Sequence, residues 1–293
     1  MRVADSTFFD RMRTALGTRS AALAQAQQHA SSGLRAAVPS DDPLAVSLAR
    51  REHAAEHRYQ GHMRSAQEAT GLLNVADSTL GDVHNALLFA RDLTIQAAND
   101  TLTPADRSII LGQITQLRDQ VLSLANTEQA GRFVFAGYLD NAAAFDPAGL
   151  YVGDSAARAV EVLPGVSLPV GLTGDQIFAP TGGVDIFAAF TNLQTALGTG
   201  DAAGLQLAID AFNTGAQQVA NARADVGTLM QTAEMAQSVA ERSHDRAIER
   251  RSSLIEVDAA VAYTELSRAQ TALDAAVGIA GQLPPPGLAS SRR

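Results

Sequence analysis

Both ends of this 293-residue chain place apolar residues at alternating steps of three and four, the spacing of a coiled-coil seam. The N-terminal seam comprises Phe9, Met12, Leu16, Leu23, Ala26 and Ala30, with Arg19 as its one polar position. The C-terminal seam comprises Ile255, Ala259, Ala262, Leu266, Ala269, Leu273, Ala276, Ala280 and Leu283. Because a single amphipathic helix cannot bury its own stripe, each end needs the other end or a neighbouring molecule.

Alanine occupies many of these seam positions, so each contact buries little area. Burial of one methylene contributes roughly 0.8 kcal/mol, and an alanine-rich seam therefore holds weakly until many copies pack together. This composition predicts ends that become ordered on self-assembly. The alternative is an ordinary helix pair within one molecule.

The composition excludes several kinds of chemistry. The chain has no cysteine, and all 22 of its basic residues are arginine, which removes disulfides, thiolate metal sites and lysine-based catalysis. Residues 132–240 hold three arginines against ten acidic residues, and no basic patch predicts nucleic-acid binding. We expect no cofactor, no metal ion and no enzymatic activity.

The sequence also predicts no association with a membrane. No stretch approaches the roughly 18 consecutive apolar residues of a membrane span. The N-terminal residues lack the apolar core of a secretory signal peptide, so conventional secretion is not expected and a signal-free export route remains open.

Helix signals cover most of the first half of the chain. A first helix is expected from about Asp5 to Ser32, ending at Gly33. Asp42-Pro43 and Thr103-Pro104 each combine a capping side chain with a proline suited to the first turn of a helix. The second helix keeps three–four spacing at positions 45, 48, 52, 55, 59, 62, 66, 69, 73, 76, 80, 83, 87, 90, 94 and 97, and Glu52 and His62 predict looser packing early in it. The stripe of the third helix is Ile110, Ile114, Leu117, Val121 and Leu124.

The helical period is lost between Gly131 and about Val184. Residues 132–138, 159–163 and 166–170 favour short strands, and helical spacing then returns and runs to Leu283. We therefore predict a mainly α fold, an elongated rod of long helices with a small β-containing insertion.

Three domains are predicted, two of them discontinuous. They are a terminal coiled coil of residues 1–34 and 252–293, a helical bundle of 35–131 and 205–251, and an inserted β-containing domain of 132–204.

Several short motifs, in their order and spacing, resemble one family. Ser31-Ser32-Gly33-Leu34-Arg35 and Pro39-Ser40-Asp41-Asp42-Pro43 lie near the start, and Gly131-Arg132-Phe133-Val134-Phe135-Ala136-Gly137 follows. Ser253-Leu254-Ile255-Glu256-Val257-Asp258 and Leu266-Ser267-Arg268-Ala269-Gln270-Thr271-Ala272-Leu273 lie near the end. Together they resemble the flagellin superfamily, and the Asp-Asp-Pro form is closer to its hook–filament junction branch, hook-associated protein 3, than to filament flagellin.

The resemblance implies an extracellular structural subunit of the bacterial flagellum that is exported through the flagellar channel without a cleaved signal. It also implies self-assembly into a ring, neighbours that are another hook-associated protein and flagellin, and a cytoplasmic export chaperone. The residues expected to carry assembly are Phe9, Met12, Leu16, Leu23, Ile255, Leu266, Leu273 and Ala276. Within the family, the alternative is a short flagellin that builds the filament itself.

The sequence departs from the family at its end and offers one rival chemistry. Residues 284–293 begin with three prolines, which cannot continue a helix.

His53-Ala54-Ala55-Glu56-His57 matches the H-x-x-E-H pattern of zinc peptidases. The seam places Ala55 inward and both histidines on its flanks, so a solvated helix face is the preferred interpretation. The glycine-containing stretch 198–204 is likewise interpreted as a turn in which Asp201 caps the next helix, rather than as a phosphate-binding loop.

Overall fold

The computed structural model describes residues 2–99, 103–170 and 172–282, with side chains from Thr7 onward. Within them lie seven helices and four short strands, so the predicted mainly α class is confirmed. The helices are α1 (Arg2–Ser32), α2 (Pro43–Ala97), α3 (Pro104–Ala125), α4 (Gly174–Phe178), α5 (Ile186–Thr199), α6 (Ala202–Ile255) and α7 (Ala259–Gly281). The strands are β1 (Glu128–Gln129), β2 (Arg132–Phe133), β3 (Ala159–Leu163) and β4 (Val166–Pro169).

Contacts divide the chain into two compact units. The terminal unit contains the described residues of 1–57 and 244–293, and the central unit contains those of 58–243. Both α2 and α6 contribute residues to each unit. The three-domain division expected from the sequence stays a prediction.

The central unit has a continuous hydrophobic core built from α2, α3, α5 and α6. From Ala66 onward the α2 seam lies in this core and is buried throughout; this part is here called the central seam and comprises Ala66, Ala69, Leu73, Ala76, Leu80, Val83, Leu87, Ala90, Thr94 and Ala97. Glu52 and His62, by contrast, are half-buried, as the looser early packing predicted. At 1.5 Å per residue, α2 is about 80 Å long.

Helix α3 has the N-terminal cap and most of the buried apolar stripe that the sequence predicts. Thr103 and Asp106 form a reciprocal capping box with Pro104 in the first turn. The stripe of Ile110, Ile114, Leu117 and Val121 is buried. Leu124, expected to continue it, is only half-buried, and the neighbouring Ala125 is buried instead.

The segment between α3 and α5 contains less strand than expected. Of residues 132–138, only Arg132–Phe133 pairs as a strand, against Glu128–Gln129. Gly137 has a φ of 68°, which strand geometry does not tolerate, and an added Cβ there would collide with the backbone of Asp154. The two short strands predicted over 159–163 and 166–170 form as β3 and β4, which pair antiparallel and turn at Pro164-Gly165.

The core of this segment is aromatic rather than strand-based. The rings of Phe135, Phe145, Phe178 and Phe187 lie at centroid distances of 5.2–6.0 Å. The short helix α4, which the sequence did not predict, delivers Phe178 into this cluster.

Candidate assembly site

The two terminal helices, α1 and α7, pack against each other in the terminal unit. The predicted N-terminal seam lies wholly on α1 and faces inward, because Phe9, Met12, Leu16 and Leu23 are all less exposed than most of their neighbours. The predicted residues Leu266, Leu273 and Ala276 lie on the corresponding face of α7. Arg19 is exposed, which fits a long side chain that reaches water.

The C-terminal seam is interrupted, contrary to prediction. Helix α6 ends at Ile255, and α7 begins at Ala259 after Asp258 accepts hydrogen bonds from the backbone N–H groups of Ala260 and Val261. Ile255 therefore belongs to α6 and not to the terminal helix. The predicted seam ran on across this break because Ile255 and Ala259 keep three–four spacing, and spacing alone does not reveal a capping residue between them. Leu283 and residues 284–293 lie outside the described residues.

Burial of the terminal seam, meaning the seam residues of α1 and α7, is incomplete. Only Ala26 and Ala262 are buried, at 8% and 2% exposure. Phe9, Met12, Leu16, Leu23, Leu266, Leu273 and Ala276 are half-buried. Large apolar side chains next to the seam are more exposed still: Phe8, Val261, Tyr263, Val277 and Ile279. The helix pair thus leaves several large apolar side chains exposed on either side of its seam.

One end of the helix pair is fixed by a short backbone crossing, here called the terminal clasp and formed by residues 33–36 and 254–257. Val257 N–H donates to Gly33 O at 2.9 Å, and Arg35 N–H donates to Ile255 O at 2.8 Å. The Arg35 guanidinium also donates to Leu254 O at 2.6 Å. Since α1 ends at this crossing and α7 begins there, the two helices run antiparallel.

Two aspartates hold the turn that connects the clasp to α2. Asp41 accepts hydrogen bonds from the N–H groups of Ala37 and Val38, at 3.0 and 3.1 Å. Asp42 accepts from Ala45 N–H at 2.9 Å, which confirms its predicted role as the cap before Pro43. The family motifs at 31–35, 39–43 and 253–258 therefore supply the residues that build this turn and the clasp.

Two ion pairs join α2 to α6 beside the clasp. Glu52 and Arg250 lie 2.9 Å apart, and Glu56 and Arg251 lie 2.7 Å apart. Glu56 is only 8% exposed. Burial alone would raise the pKa of Glu56, but hydrogen bonds and charge from Arg251 and His53 outweigh it and leave that pKa below its ordinary value. Sequence reasoning missed both pairs, whose members are about 200 residues apart in sequence.

The H-x-x-E-H motif does not form a peptidase site. Ala55 is buried and both histidines are exposed, as the seam predicted. Glu56, which would be the catalytic base, is instead bound to Arg251. Across the described residues, no group of three or more His, Asp or Glu side chains could hold a metal ion. No helix in the same part of the chain is long and apolar enough to cross a membrane.

Known proteins resemble this chain both in sequence and in fold. The model of the bacterial flagellin N-terminal helical region matches residues 8–140. Flagellar hook-associated protein 3 of Escherichia coli strain K12 is 32% identical over 272 residues, which cover 84% of this chain and 85% of the relative. The chain belongs to the flagellar hook-associated protein 3 family.

Solved structures agree with this membership at the level of the fold. A candidate flagellar hook-associated protein of Vibrio parahaemolyticus aligns with a TM-score of 0.67 at 22% identity, covering 74% of this chain and all of that structure. The flagellar junction protein FlgL of Legionella pneumophila aligns with a TM-score of 0.58 at 15% identity, over 71% of this chain and all of that one.

Membership in the hook-associated protein 3 family makes this chain a structural component of the bacterial flagellum, an extracellular appendage. It assembles with other flagellar components.

Proposed function

We propose that this chain joins the flagellar hook to the filament by packing its α1–α7 helix pair against the same pair in neighbouring copies. The observation that carries the proposal is the exposure of large apolar side chains beside the half-buried terminal seam, with Phe8, Tyr263 and Ile279 each at least half exposed. A lone helix pair gains little from so exposed a seam, whereas a ring of pairs would bury it.

The finer features of this role are proposals on the same basis. The seam residues Phe9, Met12, Leu16, Leu23, Leu266, Leu273 and Ala276 contact neighbouring copies or hold the pair that does so. Ile255 supports the clasp from α6. The chain acts without enzymatic activity, meets another hook-associated protein and flagellin as its neighbours, leaves the cell without a cleaved signal and is escorted by an export chaperone.

The test is incorporation into flagella of cells that lack their own copy of the gene. In Leu266→Asp/Leu273→Asp, two carboxylates enter the half-buried seam of α7, and uncompensated burial of charge opposes assembly. We expect the variant protein to stay soluble while cells carry hooks without filaments, as seen by electron microscopy.

The matched control is Thr264→Asp/Thr271→Asp. These two threonines are exposed, lie seven residues apart like the two leucines, and occupy the opposite side of α7. Their hydroxyls bond only to the backbone of their own helix. The control should assemble, and normal filaments from the leucine variant would refute the proposal.

A further inference from the structure

His53 and His57 are the only two of the six histidines that lie four residues apart in the sequence. That spacing places them one above the other on a single face of α2. Their Nε2 atoms lie 3.2 Å apart, and their ring planes meet at 72°. Both residues are exposed, so this pair faces solvent and not the core.

The separation of the two Nε2 atoms suits a shared metal ion. Histidine nitrogens bind zinc at about 2.0–2.1 Å. Two nitrogens at that distance from one ion and 3.2 Å from each other subtend roughly 100° at the metal, between octahedral and tetrahedral angles. Little rearrangement is therefore needed to place an ion between the rings.

Glu56 prepares His53 for this role. The carboxylate Oε2 lies 3.2 Å from His53 Nδ1, and since an ionised carboxylate only accepts, Nδ1 carries the proton. A neutral His53 then has its lone pair on Nε2, directed toward His57. Arg251, at 2.7 Å from the other carboxylate oxygen, holds Glu56 in position. A carboxylate behind a ligating histidine is the usual support of a metal site.

We propose that His53 and His57 bind one late first-row divalent metal ion, Cu²⁺ more tightly than Ni²⁺ or Zn²⁺. The preference follows from the general order of affinities for imidazole ligands. Binding displaces the Nε2–H···Nε2 hydrogen bond, and His57 then carries its single proton on Nδ1. Water fills the remaining coordination positions.

Both positive and negative side chains surround the histidine pair, and they affect its affinity for a cation in opposite directions. Arg50 and Arg251 line the same groove as His53, and each positive neighbour disfavours a cation. Glu52 and Glu56 offset part of that charge through their pairs with Arg250 and Arg251. Since Glu56 is held by Arg251, the site binds metal without the base that a peptidase would need.

Isothermal titration of the full chain with CuCl₂, in a buffer that does not chelate copper, tests the proposal. We expect saturable binding of one Cu²⁺ per chain, and its loss in both His53→Asn and His57→Asn. Glu56→Gln should weaken binding by about 10–100-fold, as is typical when a supporting carboxylate is removed. Circular dichroism checks that each variant keeps its helices.

The matched control is His62→Asn, which removes a histidine from the same helix that has no histidine four residues away. It should bind copper like the unaltered chain. Absence of saturable binding, or equal affinity in His57→Asn, would overturn the proposal. Because the measurement uses isolated protein, its outcome is independent of whether the α7 seam directs assembly.

Discussion

The terminal seam and the central seam share one sequence pattern but differ in burial. Every central seam position from Ala66 to Ala97 is nearly inaccessible, at 0–1% exposure. On α1 and α7 the same three–four spacing leaves most seam residues half-buried. The spacing selects which face of a helix turns inward, while the number of surrounding helices decides how completely that face is covered.

The largest expected effect comes from removing the same side chain from each seam. Leu80→Ala in the central seam should lower the free energy of unfolding by about 2–5 kcal/mol, because a cavity forms in a close-packed core. Leu16→Ala in the terminal seam should cost far less in the isolated chain, because the side chain is only half-buried there. Urea denaturation of both variants measures the difference, and equal losses would contradict it.

A second, smaller effect contrasts the two ion pairs within the terminal unit. Arg251→Ala leaves the buried Glu56 without its main partner and should cost about 1–3 kcal/mol. Arg250→Ala, the adjacent control, breaks the more exposed pair with Glu52 and should cost about 0–1 kcal/mol. Urea denaturation again measures the free energy of unfolding. A larger loss in Arg250→Ala would show that the exposed pair contributes more than the buried one.

The smallest effect is a pH dependence that originates from Glu56. Because its folded pKa is lowered, the paired carboxylate stabilises the fold above the ordinary glutamate pKa of about 4.3. That contribution is lost as the pH falls through the lowered value, since both states are then protonated. The stability difference between the unaltered chain and Glu56→Gln should therefore shrink between pH 7 and pH 3.

Urea midpoints across this range check the prediction. Glu265→Gln, which removes an exposed carboxylate from α7, serves as the matched control for the change in net charge. A difference for Glu56→Gln that stays constant down to pH 3 would show that the pair does not act through its ionisation.

The sequence predicted what depends on local signals. The central seam, the Thr103–Pro104 start of α3 and the strands β3 and β4 all follow from spacing, caps and strand-forming residues within a few positions of one another. The break after Ile255 was missed because the apolar spacing continues across it, although Asp258 is a good capping residue.

What escaped prediction depends on contacts between distant parts of the chain. Nothing near Glu56 indicates that Arg251 lies 2.7 Å away, because that distance is set by the docking of α2 on α6. Likewise, residues 132–138 have strand-forming side chains. Most of them do not form a strand, because Phe135 packs into the aromatic cluster and Gly137 has a positive φ. Local propensity is a weak guide where tertiary packing competes with it.

The terminal clasp imposes an order on folding. Arg35 bonds to Leu254, 219 residues later, so the N-terminal half of the crossing emerges from the ribosome long before its counterpart exists. Contacts that close so large a loop carry a high entropic barrier and form late. The N-terminal and C-terminal helices are accordingly the last parts of the molecule to pack together. For most of its synthesis, the chain therefore lacks this contact between its ends.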